Sequence, residues 1–234
     1  MLAILKRELK AYFSSPIGYI FLAVFAVFAG LFFYAGCLTA QSANISAVFS
    51  SMFTIVLFLI PILTMRLLSE ERKQKTDQTL LTGPINLFGV VMGKFLAALV
   101  LFALALSVTV VMMLVLAALG GAEWSVFFAN FLGMLLMGAA LISIGLFISS
   151  LTENQVIAAV ASFAVMLGLW LLDGISSMVS SPFVQMIFSS LSVSQRYSEF
   201  TMGLFDVSNV LFFLSIIAVF IFFTIRVFEK RRWS

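Results

Sequence analysis

The sequence predicts an all-α polytopic membrane protein of six transmembrane helices with both termini in the cytoplasm, and three observations predict it. Hydrophobic residues fill 63% of the 234 positions and charged residues only 10%. A soluble domain carries about 25% charged residues, so this chain has too little polar surface to cover a globule. The apolar residues gather into runs close to the roughly 20 residues that cross a hydrocarbon core. The lysines and arginines gather at one end of those runs, which sets their direction. The chain 1–234 reads as a single membrane domain.

Residues Met1 to Ser15 have helical periodicity. Leu2, Leu5, Leu9, Tyr12 and Phe13 form one stripe, while Arg7, Glu8 and Lys10 face away. Such a helix lies in the headgroup plane with its basic residues on anionic lipid, and Pro16 ends it because the residue before proline avoids the α region. An uninterrupted extension of the first span is the alternative. The six candidate spans are Ile17–Leu38, Ile45–Met65, Leu87–Leu119 with a cytoplasmic extension near Lys94, Val126–Ser149, Val156–Leu172 and Val210–Ile225. Pro61 should kink the second, since proline leaves a carbonyl of the preceding turn without its donor. The first run is longer than the roughly 7–15 residues of a signal-peptide core, so it reads as a span and not as a cleaved leader.

With both termini inside, twelve of the 13 lysines and arginines fall on the cytoplasmic side and only Arg196 outside, a strong positive-inside asymmetry. The outer loops carry Glu123, Asp173, Glu199 and Asp206. The third of them, Asp173–Asn209, is too apolar for a soluble loop and too interrupted for a span. One or two short helices dipping into the outer interface, broken at Ser180-Ser181-Pro182, fit it, as does an amphipathic loop lying on the surface. In span four, Ala139/Ser143 and Gly145/Ser149 are small-residue pairs that let helices approach closely, within a subunit or between subunits.

Several activities are excluded. The glycine-rich phosphate loop ending in Lys-Ser/Thr is absent, so the chain has no catalytic residues for ATP, and ATP and Mg would be bound by a partner. The single cysteine, Cys37, rules out an internal disulfide, and there is no histidine to serve as base or metal ligand. No Asp, Glu, Lys or Arg lies between the helix ends, which argues against a proton relay through the bilayer. The basic residues sit at membrane edges and form no continuous patch for nucleic acid.

The chemistry concentrates in Met65–Lys94, which holds Arg66, Glu70, Glu71, Arg72, Lys73, Lys75, Asp77 and Lys94 between long apolar runs. Ser69 is placed to cap a helix whose first turn carries Glu70 and Glu71, where the helix dipole favours negative charge. Gly83-Pro84 stops it. The result is a short cytoplasmic helix, charged at first and ending in Leu80-Leu81, able to seat its leucines in a groove of a soluble partner while its charges set register. A solvated linker is the alternative. Glu70, Glu71, Arg72, Lys73, Thr76, Leu80 and Leu81 are the candidate docking residues.

Ser69-Glu70-Glu71-Arg72-Lys73-Gln74-Lys75-Thr76, Leu80-Leu81-Thr82-Gly83-Pro84 and Gly93-Lys94 together resemble the loop motif of ABC-2 type transporter permeases. Ser150–Gln155, and Tyr197–Asn209 with Phe200, Gly203 and Asp206, are similar to the gliding-motility-associated branch. Lys75 stands where the family usually has glycine, and Gln78 where an acid is common. The resemblance implies a bacterial cytoplasmic-membrane exporter of two permease subunits and two ABC ATPase subunits, with the loop helix as coupling helix and a path opening between the permeases for lipid-linked, glycan, peptide or drug-like substrates. It leaves room for a further membrane partner with an extracytoplasmic domain. The rival readings are a membrane anchor that scaffolds an ATPase or extracellular partner without moving solute, and a secondary carrier.

Overall fold

The computed structural model describes residues 1–73, 86–178 and 192–233. These form ten helices in order: α1 (Leu2–Ser14), α2 (Pro16–Phe33, continued by a π-helical turn over Tyr34–Thr39), α3 (Ile45–Thr64), α4 (Ser69–Lys73), α5 (Leu87–Leu106), α6 (Val108–Ala118), α7 (Trp124–Leu151), α8 (Gln155–Met178), α9 (Val193–Thr201) and α10 (Val207–Trp233). No strand occurs among the described residues.

Local chemistry sets the helix starts. Ser15 is extended (φ −110°, ψ 154°) and Pro16 opens α2, so α1 and the first span are separate helices. Asn44, Asn86, Asn154, Ser192 and Asp206 each place a side-chain oxygen on a backbone N–H in the first turn of the helix that follows, satisfying donors that a helix N-terminus otherwise leaves orphaned.

Five helical stretches are long and apolar enough to cross a membrane: Pro16–Thr39, Ile45–Lys73, Leu87–Ala118, Trp124–Leu151 and Val207–Lys230. The remaining expected span, Val156–Leu172, coincides with α8, whose apolar stretch Gln155–Leu171 is shorter than the other five. Within the segment Asp173–Asn209, Val193–Thr201 forms the short helix α9, while Ser180, Ser181 and Pro182 lie outside the described residues.

The bundle is built around α7. Its span is 72% buried, against 28% for that of α2 and 17% for that of α10, and α7 packs on α3, α5, α8, α9 and α10. Small residues allow this towards α3, α5 and α9. A Cβ at Gly145 would come within 2.2 Å of the Thr64 hydroxyl, one at Gly138 within 2.1 Å of the Phe102 ring and one at Gly133 within 2.6 Å of Phe200. Ala139, Ser143 and Ser149 are buried too, so the small-residue pairs of span four pack within the subunit. The exposed apolar side chains lie on outward faces, such as Ile20, Val27 and Leu31 on α2 or Leu211, Val219 and Phe222 on α10.

Charge separates the two ends of the bundle. One end gathers α1, α4, the start of α5, the α7–α8 turn and the end of α10, with Lys6, Arg7, Lys10, Arg66, Arg72, Lys73, Lys94, Arg226 and Lys230. The other carries Glu123, Glu199 and Asp206, with Arg196 held by Ser208 and Asn209. Cys37 at this second end is buried, its Sγ 3.6 Å from the Asn44 carbonyl, so it is a poor reporter of sidedness, whereas Ser42 and Lys73 stand at opposite ends. In a Cys37→Ser background, a membrane-impermeant maleimide is expected to label Ser42→Cys on intact cells and to leave Lys73→Cys unlabelled until the membrane is opened. The reverse pattern would invert the orientation.

Candidate functional site

The site begins where the second span breaks. Pro61 lies inside α3, and the helix ends one turn later at Thr64, whose hydroxyl turns back to the Ile60 carbonyl at 2.9 Å. The chain then makes a tight turn over Met65–Leu68 before α4 resumes. Such a break strands backbone donors and acceptors, which cost free energy if buried unpaired. Ser149 of α7 answers them with all of its capacity: its oxygen accepts the N–H groups of Leu68 and Ser69, both at 3.1 Å, and its hydroxyl donates to the Met65 carbonyl at 3.0 Å. Ser69 differs from its expected role. Its hydroxyl also donates to the Met65 carbonyl instead of capping α4, because the chain reaches Ser69 already turning helically from α3 and Ser149 supplies the cap.

The turn is closed on its other side by Lys94, fully buried two turns into α5. Its ammonium has three acceptors for three donors: the Leu67 carbonyl at 2.7 Å, Glu8 at 3.0 Å and Glu71 at 3.0 Å. Arg7 pairs with both Glu8 and Glu71. Two cations thus meet two anions, and the buried charge is neutralised and hydrogen-bonded, the condition under which burial is tolerable. Burial alone would push the Glu8 carboxyl up, but Lys94 and Arg7 more than offset it and hold it below its usual range, while Glu8 and Glu71 raise the Arg7 guanidinium. Glu8 therefore faces inward, on the line Ile4–Glu8–Tyr12, and not away from the protein as its polarity suggested. Gly93 makes the approach possible, since a Cβ there would meet Ile4 at 3.0 Å. Tyr12 completes the seam. It is buried, donates to the Leu63 carbonyl at 3.0 Å and lies under the Arg66 guanidinium, which in turn donates to Ser15 at 3.0 Å. Burial pushes its phenol up.

The expected docking residues thus divide. Glu70 stays near the surface, 3.6 Å from Arg66 one turn back. Glu71 turns inward to Lys94. Arg72 reaches across to the α7–α8 turn, donating to the Leu151 carbonyl at 2.7 Å and pairing with Glu153 at 3.1 Å. Lys73 is exposed. Thr76, Leu80 and Leu81, with Lys75, Gln78 and Gly83-Pro84, lie outside the described residues. Sequence reasoning missed the Glu8–Lys94 pairing and the role of Ser149. The one available signal was an acid in register with Ile4 and Tyr12.

The fold and this seam define a multi-pass α-helical membrane protein with its polar machinery at one end. A family model described as ABC-2 type transporter matches residues 1–187 of the 234, and the chain belongs to that family. The match is to the family as a whole and does not reach the level of the gliding-motility branch. No curated protein matches the chain. A permease domain of this family is ordinarily a non-catalytic membrane subunit that works with ABC ATPases and dimerises.

Replacing Lys94 with Met leaves Glu8 and Glu71 facing each other with Arg7 alone, and removing one partner of a buried pair costs about 3–5 kcal/mol. Lys94→Met is therefore expected to loosen α1 and speed tryptic cleavage after Lys6, Arg7 and Lys10, with Glu71→Gln added to it restoring part of the protection. Cleavage at the wild-type rate in Lys94→Met would contradict the cluster. Because Glu8 titrates below its ordinary value of about 4.3, its contribution is whole above that pH and is lost as pH falls through the lowered value. Hydrogen exchange of α1 should stay protected at pH 5–7 and rise only at stronger acidity.

Proposed function

We propose that this chain is the membrane-spanning permease subunit of an ATP-driven ABC-2 type exporter. It has six spans with both termini in the cytoplasm, α8 being the fifth, and pairs with a second permease copy, identical or related. Separate ATPase subunits hold ATP and Mg and dock on the cytoplasmic stretch 70–81, with Thr76, Leu80 and Leu81 making the contact that its first four residues, Glu70–Lys73, position. The cargo is an amphiphile.

The observation that carries this reading is the way α4 is fastened. Within five residues it is tied to α1 and α5 through Glu71, and to the α7–α8 turn through Arg72. A solvated linker has no use for such fixing. A segment that receives a push does, because force applied at the loop then reaches four helices together. The basic end fits the cytoplasmic side by the positive-inside rule. α1, with Leu2 and Phe13 exposed on its outer side, fits the interface between water and lipid.

Replacing Leu80 and Leu81 together by Asp sets two carboxylates into an apolar socket. Losing an interface hot spot costs about 2 kcal/mol or more, so the ATPase should no longer be retained on the purified permease, while membrane insertion persists because the change lies outside the spans. Wild-type retention of the ATPase by the double variant would remove the docking assignment.

A further inference from the structure

We propose that the cleft at the acidic end of the bundle, between the starts of α3 and α7 and the end of α9, binds the ammonium head of an amine-bearing amphiphile. The proposal deepens the reading of an amphiphile exporter by naming the head group. The cleft holds about 480 Å³, with Ser46 of α3, Glu123 and Val126 at the start of α7, and Met202 after α9 on its walls.

Three observations carry it. The first is charge. No lysine or arginine lines the cleft. Arg196, the cation of this end among the described residues, is held by Ser208 and Asn209 and lies over the Phe212 ring. Glu199 accepts from Asn209, and Asp206 accepts from the Ser208 N–H. Glu123, by contrast, stands at the N-cap of α7 without capping it and meets no partner among the described residues. A cation entering the cleft therefore finds a carboxylate that nothing else engages.

The second is a buried acceptor beside the same wall. Asn130 is fully buried, and its Nδ2 donates to Ser46 Oγ at 3.1 Å and to the Val126 carbonyl at 2.8 Å. Both residues line the cleft, so the amide is directed at its wall. Its Oδ1 has no hydrogen-bond partner among the described residues. Exchanging oxygen and nitrogen would set the oxygen against the Val126 carbonyl, so the unmet group is an acceptor. A buried polar atom left unmet is costly, and the group that answers this one is a donor such as N–H.

The third is an apolar path leading out of the cleft. Met202, on the wall, is 72% exposed, and Leu204 and Phe205 follow it in the turn to α10 at 59% and 56%. Gly203 lies so close to Val126 that a Cβ there would come within 3.1 Å of it, which seats the turn against the cleft. The path ends on the exposed Val207 and Leu211 of α10, whose span is only 17% buried. A head in the cleft thus places its chain on the turn and its far end in lipid, which suits an amphiphile and not a small cation.

The test is photolabelling of the purified full-length permease in nanodiscs of phosphatidylcholine and phosphatidylglycerol. The probe is dodecylamine with a mid-chain diazirine, its sulfate-headed analogue is the control, and labelled positions are read by mass spectrometry. The amine is expected to label 202–205 more than the sulfate does. Glu123→Gln should lower that labelling about fivefold, the upper range for an exposed ion pair, while labelling of the lipid-facing residues of α2 stays at wild type. Glu123→Lys should exchange the preference, losing the amine and taking the sulfate. Adding phosphatidylethanolamine identifies the source of the head: competition marks a bilayer aminolipid as the occupant, and undiminished labelling marks a free amine amphiphile. Labelling of 202–205 that is equal for the two heads, or unchanged in both Glu123 variants, would overturn the proposal. Because no ATPase is present, that failure would leave the docking reading standing.

Discussion

A lysine buried inside an apolar helix has to be met by anions, and the seat of Lys94 fixes the arrangement of the whole basic end. Its three donors draw Glu8 from α1, Glu71 from α4 and the Leu67 carbonyl from the broken end of α3 to one point on α5. Arg7 then balances the second carboxylate. A dry, unpaired ammonium would cost several kcal/mol, so none of these elements can leave without penalising the others. The N-terminal helix, whose apolar stripe would suit any membrane surface, is in this way held at one position against the loop that follows the second span.

The opposite constraint acts through α7, where the absence of side chains does what charge does at the basic end. Gly145, Gly138 and Gly133 bring α3, α5 and α9 to within van der Waals contact of the α7 backbone. At the basic end of the same helix, Ser149 takes the place of a missing turn of α3. Movement of the α3–α4 break therefore cannot be confined to the loop. It has to shift α7, around which the rest of the bundle is packed, or break hydrogen bonds worth about 1 kcal/mol each.

Much of the fold was legible in the residues because apolar run length is nearly the whole message in a membrane chain. Ile45 and Leu87 open their helices where the sequence put them, and the helix stop at Ser15-Pro16 followed from proline sterics alone. Val156–Leu172 was harder, since its apolar run is near the short limit. What could not be read was pairing across the sequence. Glu8 looked like a surface charge because its partner lies 86 residues away, and periodicity says which face a residue occupies but not what stands opposite. Ser69 misled for a related reason: a serine directly before two acids describes a free helix start, and here the start was already occupied by Ser149. The family motif Gly93-Lys94 was recognisable as a motif, while its physical content, a gap for Ile4 followed by a cation for Glu8, needed the third dimension.

Among the described residues the charged side chains stand at the two ends of the bundle, and its middle offers only serine, threonine, asparagine and apolar groups, such as Ser143, Thr109 and Asn130. A proton-driven carrier ordinarily places an ionisable group at mid-membrane despite a cost of about 2.5–3.5 kcal/mol on insertion scales. The account of an ATP-driven permease is tested most directly by reconstituting the chain with its ATPase in proteoliposomes and following amphiphile movement while an ionophore collapses the proton gradient at constant ATP. Movement is predicted to continue with the gradient gone and to stop when ATP is withdrawn. Movement that stops with the ionophore, or that runs on an imposed gradient without ATP, would contradict it.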